Sequence, residues 1–210
     1  MFVSLAPSYH CNFRCPWCYL SVDQLRDKAK INLTVLDSKL REVGNITQVD
    51  IYGGEPGTLP NDYANELIDL VSKHTNRINI ISNFSVVPDW YYRPEITSLG
   101  ASFDWDQREQ HDRVLNNIIL CKRPVSVLIL ATEELVKTEP KIIAETLGAI
   151  PNVISVEIKP YSTNQFNNFG MDFLLFEEWI KKWVLLENLN FQLVNVDILN
   201  KCISGDYVAY

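Results

Sequence analysis

The chain contains 210 residues, of which 47% are hydrophobic, and this is enough to bury the core of one α/β domain. Its formal net charge of −7 argues against a surface built to neutralise nucleic-acid phosphates. The N-terminus lacks the basic segment and apolar run of a secretion signal, and no stretch approaches the roughly 18 apolar residues of a membrane span. We therefore expect a single-domain cytoplasmic protein that acts on small molecules or peptides.

Short β-rich runs alternate with helical patterns from one end of the sequence to the other. Hydrophobic and β-branched runs predict strands at Phe2–Leu5, Val49–Tyr52, Ile78–Ser82, Ala101–Phe103, Val125–Leu130, Val153–Ile158 and Phe191–Val196. Capping and breaking residues predict helices from Thr34 to Gly44, from Pro60 onward, and over Gln107–Cys121, Pro140–Leu147 and Asp172–Leu186.

This alternation is typical of parallel sheets built from β/α units. The nearly continuous apolar run Val125–Leu130 suits a parallel strand that is covered on both faces. Six or seven units are fewer than the eight of a closed barrel. We therefore predict an α/β fold, a partial (β/α)6-type barrel, forming one domain over residues 1–210, with ligands at the carboxyl ends of the strands.

A cluster of cysteines follows the first predicted strand, in the segment Cys11-Asn-Phe-Arg-Cys15-Pro-Trp-Cys18. The five cysteines of the chain are an odd number without a secretion signal, so metal ligation explains them better than a disulfide framework. Three thiolates from one loop can bind three irons of a cubane and leave the fourth iron open to substrate. The alternative is a structural zinc site, with His10 or a distant cysteine as the fourth ligand.

With Trp17 directly before its last cysteine, this spacing resembles the signature of radical S-adenosylmethionine (SAM) enzymes. The second predicted strand ends in Tyr52-Gly53-Gly54-Glu55-Pro56, which is similar to the Gly-Gly-Glu-Pro motif that meets the amino group of SAM in that family. Glycines allow close backbone approach, and a carboxylate complements an ammonium. Taken alone, the same residues would also suit an ordinary strand-to-helix turn.

The resemblance continues more weakly along the chain. Ser82 and Asn83 end the third strand, Ser102 and Asp104 end the fourth, and the segment 111–118 resembles the helix that follows in the family. These positions suit contacts with the ribose and carboxylate of SAM. The same side chains also form turns and helix caps routinely.

The resemblance implies a [4Fe–4S] cluster on Cys11, Cys15 and Cys18, with SAM as the second cofactor. One electron, from a donor such as flavodoxin or ferredoxin, would break the C5′–S bond of SAM and give a 5′-deoxyadenosyl radical that abstracts hydrogen from the substrate. Trp17 and Tyr19 would flank the cluster loop. The protein would orient the reactants and exclude water.

The sequence motifs look most like those of family members that modify peptides or protein side chains. The alternatives are enzymes that act on a nucleotide or another small molecule, glycyl-radical-enzyme activases, and a non-enzymatic metal-binding module. We expect no separate C-terminal domain with auxiliary clusters. Such a short chain would leave the barrel mouth open, which favours a peptide substrate.

Several other residues are candidates for the rim of the site. The aromatic patches are Trp90-Tyr91-Tyr92, Trp105-Asp106 and Tyr161–Gln165, and the alternative for each patch is that it covers the core. Glu157 and Lys159 interrupt the sixth strand and need partners or a ligand. Cys121 is expected in the core, and Cys202 faintly resembles the point where some family members begin an auxiliary-cluster extension.

Overall fold

A computed structural model describes residues 1–105, 108–160, 166 and 172–195. Its centre is one sheet in which seven strands lie in chain order, and each neighbouring pair is parallel. The strands are β1 Phe2–Leu5, β2 Gln48–Ile51, β3 Ile78–Ser82, β4 Ile96–Ser102, β5 Val125–Ala131, β6 Val153–Pro160 and β7 Gln192–Leu193. The order is that of a β/α barrel, and the prediction of a partial barrel is confirmed.

Helices connect most of these strands. They are α1 Val22–Arg26, α2 Leu33–Val43, α3 Asn61–Val71, α4 His111–Leu120, α5 Pro140–Gly148 and α6 Phe173–Val184. The crossover from β3 to β4 contains instead the 3-10 helix Asp89–Tyr92. No helix in the described part of the chain is both long and apolar enough to cross a membrane.

Alternating burial along β5 shows how the strands divide their two faces. Val125, Val127 and Ile129 are buried in the core, whereas Ser126, Leu128 and Leu130 on the opposite face are half-buried. Side chains alternate between the two faces of a strand, so one face packs against the helices and the other lines the open interior of the barrel.

A polar layer crosses part of this interior face. The carboxylate of Asp50 on β2 accepts a hydrogen bond from the Asn79 amide on β3 at 2.9 Å, and the Asn79 carbonyl accepts one from the Ser98 hydroxyl on β4 at 2.6 Å. The interior of a closed barrel is filled by apolar layers. Here the exposed interior is stabilised by polar side chains that bond to each other.

Several predicted boundaries differ from the structure. Strand β4 begins at Ile96 instead of Ala101, because the apolar pattern is interrupted by Thr97 and Ser98, which hydrogen-bond across to β3. Helix α2 is capped by Asn32, whose side chain accepts from Thr34 N and Val35 N, and so it begins earlier than predicted.

Helix α4 and strand β7 also differ in length from their predicted ranges. Helix α4 begins at His111, after Gln110 adopts a left-handed conformation with φ of 55°; Gln107, its predicted start, lies outside the described residues. Strand β7 spans two residues, and Val196 lies outside the described part.

Trp90 and Tyr91, two of the aromatic candidates for the rim, pack in the core instead, which is the alternative that the sequence left open. Trp90 and Tyr91 are buried, with their rings edge to face at 4.5 Å between centroids. The hydroxyl of Tyr92 donates to the sulfur of Cys121 at 3.9 Å. These aromatic rings fill the space that an α-helix would cover between β3 and β4. Cys121 is a buried core residue, as the sequence predicts.

Candidate active site

The segments that follow β1 and β2 run side by side beyond the ends of the strands. Tyr52 N donates to Leu5 O at 2.9 Å, Gly54 N to Ser8 O at 3.0 Å, and Glu55 N to His10 O at 2.7 Å. The pairing therefore continues from the sheet up to the residue before Cys11. It fixes the cysteine loop against the Gly53–Pro56 turn at the carboxyl rim of the sheet.

Glycine is required at both positions of this turn by the close approach of the two segments. A Cβ at Gly54 would lie 2.1 Å from His10 O, and a Cβ at Gly53, where φ is +122°, would lie 2.8 Å from Ala6 Cβ and 2.9 Å from Ser8 O. Backbone atoms cannot move aside cheaply, and a φ in this range is rarely adopted by other residues. The glycines thus allow the turn to pack directly on the loop that leads to Cys11.

Cys11, Cys15 and Cys18 line one cavity of about 260 Å³. Each sulfur accepts hydrogen bonds from the protein: Cys11 from Phe13 N and Cys18 from Leu20 N, both at 3.4 Å. Burial raises the pKa of Cys11, and it raises the pKa of Cys15 to about 11. Both thiols are therefore protonated at neutral pH without a metal. Metal binding would release their protons.

The donor set fits a multi-iron cluster. Among the described residues, no group of three or more His, Cys, Asp or Glu side chains could hold a single metal ion. The three cysteines line a shared cavity, and a cluster has several metal atoms to meet their thiolates. His10, the fourth ligand in the zinc alternative, lines a different cavity with Lys28 and Lys30.

Glu55 is buried and ties the turn to strand β3. Its carboxylate accepts hydrogen bonds from Gly57 N at 2.7 Å, Ser82 Oγ at 2.7 Å, Asn83 N at 2.6 Å and Tyr91 Oη at 3.3 Å. Burial raises the pKa of this carboxyl, and these donors act in the opposite direction. All four donors belong to the protein, so the carboxylate meets its hydrogen-bonding needs inside the protein.

A second network joins β3 to the cysteine loop. The side-chain amide of Asn83 donates to Asn12 Oδ1 at 3.1 Å and to the sulfur of Cys11 at 3.8 Å. Asn12 in turn donates to Ser85 Oγ at 2.8 Å. Together with Glu55, these bonds hold the ends of β1, β2 and β3 in one arrangement around Cys11.

Tyr19 links the far side of the cysteine loop to the same turn. Its hydroxyl donates to Gly53 O at 2.9 Å, and burial raises the pKa of the phenol. Trp17 lines the cysteine cavity and also an adjoining cavity of about 230 Å³. The two aromatic residues predicted to flank the cluster loop therefore both border this space.

Arg108 is a site residue that the sequence prediction missed. Its guanidinium is buried, pairs with the Asp104 carboxylate, and donates from Nη1 to the sulfur of Cys15 at 3.4 Å. In the sequence it stands among Asp, Gln and Glu, as on a solvated surface. The spacing of four residues from Asp104 is the signal that could have predicted the ion pair.

Most of the predicted site residues border the cysteine cavity. Asp104 borders the adjoining cavity instead, and Pro56 is buried in the 3-10 turn behind. The predicted residues that line the cysteine cavity are Cys11, Cys15, Trp17, Cys18, Tyr19, Gly53, Gly54, Glu55, Ser82, Asn83 and Ser102.

The remaining candidates have different surroundings. Lys159 lines the adjoining cavity, and its ammonium lies 3.2 Å from Glu157, so the two charges on β6 partner each other. Trp105 packs edge to face on His111 with 5.8 Å between ring centroids. Asp106, Tyr161–Gln165 and Cys202 lie outside the described residues.

Solved structures share the open parallel barrel of this chain. The crystal structure of SuiB from Streptococcus suis has this fold, with a TM-score of 0.70 and 11% identity over 100% of this chain and 53% of its own. SuiB bound to precursor peptide SuiA gives a TM-score of 0.66 and 15% identity over 96% of this chain and 51% of its own.

A second solved protein has the same architecture. Native anSMEcpe with bound AdoMet and Cp18Cys peptide gives a TM-score of 0.66 and 14% identity over 100% of this chain and 63% of its own. The chain thus spans between half and two thirds of the length of these neighbours. At such low identity the likeness establishes the fold. No family model and no curated protein matches the sequence.

Proposed function

We propose that the chain is a radical SAM enzyme in which Cys11, Cys15 and Cys18 hold three irons of a [4Fe–4S] cluster. The observation that carries this proposal is the single cavity shared by the three cysteines and the Gly53–Gly54 turn, at the carboxyl rim of a parallel sheet. When bound, the cluster and SAM together supply reductive C–S cleavage and a carbon radical that abstracts hydrogen.

The backbone of the turn would bind the methionyl amino group of SAM. No described residue donates a hydrogen bond to the carbonyl of Gly54, whereas that of Gly53 accepts from Tyr19. Glu55 would act by holding the turn in place, because its carboxylate is already bonded to four protein donors. An ammonium next to an unpaired carbonyl gains a charge-assisted hydrogen bond.

Other residues would orient SAM and exclude water. Ser102 borders both cavities, so its hydroxyl is well placed for a ribose or carboxylate contact. The hydroxyl of Ser82 already donates to Glu55 and accepts from Phe84 N. Trp17, Leu128 and Leu130 provide apolar walls in the adjoining cavity, which would keep solvent and stray hydrogen donors away from a radical.

Anaerobic reconstitution tests the cluster directly. The wild-type protein is expected to take up about four irons per chain and to release 5′-deoxyadenosine from SAM under reducing conditions. Cys15→Ala should lose the cluster and reduce this product to the level measured without protein. The matched control is Cys121→Ala, which removes a core thiol that borders neither cavity and should retain both properties. An intact cluster in Cys15→Ala, or iron near eight per chain, would contradict the assignment.

We further propose that the substrate is a peptide or protein segment. The structures of SuiB bound to SuiA and of anSMEcpe with Cp18Cys peptide support this class, since both have the same fold. Among the described residues the two adjoining cavities are only partly enclosed, which suits a chain that passes across the rim. The peptide would then shield the radical from water.

Deuterium transfer distinguishes a peptide from a small molecule. Reduced enzyme with SAM would be incubated with a pool of synthetic deuterated peptides, and separately with deuterated ribonucleotides. We expect deuterium in 5′-deoxyadenosine from the peptide pool, together with a mass change in the reacting peptide. Transfer from nucleotides without transfer from peptides would overturn the peptide proposal and leave the radical SAM proposal standing.

The described residues form one sheet with one core, which supports the proposal of a single core domain. Flavodoxin or ferredoxin is the proposed electron donor. The cytoplasmic location and the absence of auxiliary clusters stay predictions of the sequence.

A further inference from the structure

A buried ion pair reaches from the end of β4 to the cysteine loop. Asp104 follows β4 by two residues, and its Oδ1 accepts a hydrogen bond from Leu130 N at 2.9 Å. Its Oδ2 accepts from Nη2 of Arg108. The other arm of the same guanidinium, Nη1, donates to the sulfur of Cys15 at 3.4 Å.

Stability alone is a weak reason for such a pair. Taking two charges out of water costs several kcal/mol per ion, and a buried salt bridge often contributes no more than apolar residues of similar volume would. Nε of Arg108 is also buried with no hydrogen-bond partner among the described residues. Asp104 holds the guanidinium in a position from which it contacts the sulfur of Cys15.

This contact gives Cys15 a donor of a different kind from those at Cys11. The sulfur of Cys11 accepts from a backbone amide and from the neutral side chain of Asn83. Cys15 instead accepts a hydrogen bond from a cation, the guanidinium of Arg108, whose other arm is bonded to the Asp104 carboxylate. Hydrogen bonds to cluster sulfurs and nearby charges are the means by which proteins set cluster potentials.

We propose that Arg108, fixed by Asp104, is a positioning residue that raises the reduction potential of the cluster through its hydrogen bond to the sulfur of Cys15. The inference rests on the proposed function. Reduction adds one negative charge to the cluster, and a fixed cationic donor in a buried site stabilises the added charge more than it stabilises the oxidised form. A higher reduction potential allows the cluster to accept an electron from a weaker reductant.

The test compares reduction potentials of reconstituted variants by redox titration, with the reduced cluster followed by electron paramagnetic resonance. Arg108→Gln combined with Asp104→Asn replaces the ion pair by two amides and leaves the net charge unchanged. We expect its equilibrium constant for one-electron reduction to fall about tenfold, a shift of about 59 mV to lower potential. Arg113→Gln, which removes an exposed cation on α4, is the control and should leave the potential unchanged.

Arg108→Lys is the second variant, for the case in which the double variant does not retain its cluster. It keeps the positive charge but replaces the two-armed guanidinium by a single ammonium, which cannot bond to Asp104 and Cys15 in the same geometry. It should therefore also shift the potential downward. A cluster-loaded variant with wild-type potential would overturn the inference, as would an equal shift in Arg113→Gln. Failure of the wild-type protein to bind any cluster would instead refute the proposed function, and the inference with it.

Discussion

Gly54 shows how a single residue determines the geometry of the site. The side chain that it lacks would occupy the space of the Tyr9 and His10 carbonyls, at 2.4 Å and 2.1 Å. Glu55 then directs its carboxylate into the core, where four donors meet it. The motif therefore has two roles: it borders the cavity, and it packs against the cysteine loop and holds it in place. The resemblance to a SAM-binding sequence does not reveal the second role.

A glycine-to-alanine comparison tests this role at the residue scale. Gly54→Ala should lower the free energy of unfolding by about 1–3 kcal/mol, because the new methyl group forces the loop backbone to move. It should also reduce the iron retained after reconstitution. Urea denaturation of the apoprotein and iron analysis are the two measurements.

Gly148→Ala provides the matched control. A Cβ at this position in α5 would meet its nearest neighbour at 3.7 Å, an ordinary contact. Its stability should stay within about 1 kcal/mol of the wild type, and its iron content should be unchanged. Equal behaviour of the two variants would show that the close approach at Gly54 has no consequence for the loop.

The crossover between β3 and β4 determines where the aromatic residues go. A 3-10 helix of four residues covers this part of the sheet, and Trp90 and Tyr91 are buried in it. Tyr91 also reaches the carboxylate of Glu55 at 3.3 Å. Because a short connection leaves the outer face of the sheet uncovered, large rings must fill it. The element thus supports the site from behind.

The whole molecule separates a buried core from the loop that carries the cysteines. The core is formed by apolar side chains of the strands and helices, and Cys11 and Cys15 are half-buried at its edge. The loop is anchored in the core by the buried side chain of Phe13, and its remaining attachments are individual hydrogen bonds such as Cys11 N to Leu25 O at 3.1 Å. The fold should therefore persist without a cluster, while the loop loses order.

Hydrogen exchange before and after cluster removal checks this separation. Chelating the iron under anaerobic conditions should increase exchange in peptides covering residues 9–21 and leave the amides of β3, β4 and β5 protected. Peptide-level mass spectrometry provides the measurement. Loss of protection in these central strands would mean that the cluster is needed for the fold, which would contradict the separation.

The sequence by itself determined the order of strands and helices, the cysteine loop and the Gly-Gly-Glu-Pro turn. These features depend on short spacings and local periodicity, so neighbouring residues suffice to recognise them. The tertiary structure decided that Arg108 contacts Cys15, ninety-three residues away, and that Ser82 donates to Glu55, twenty-seven residues away. It also decided that Trp90 and Tyr91 are buried. Contacts between distant residues arise when the sheet aligns the carboxyl ends of separate strands, and a local pattern holds no record of that alignment.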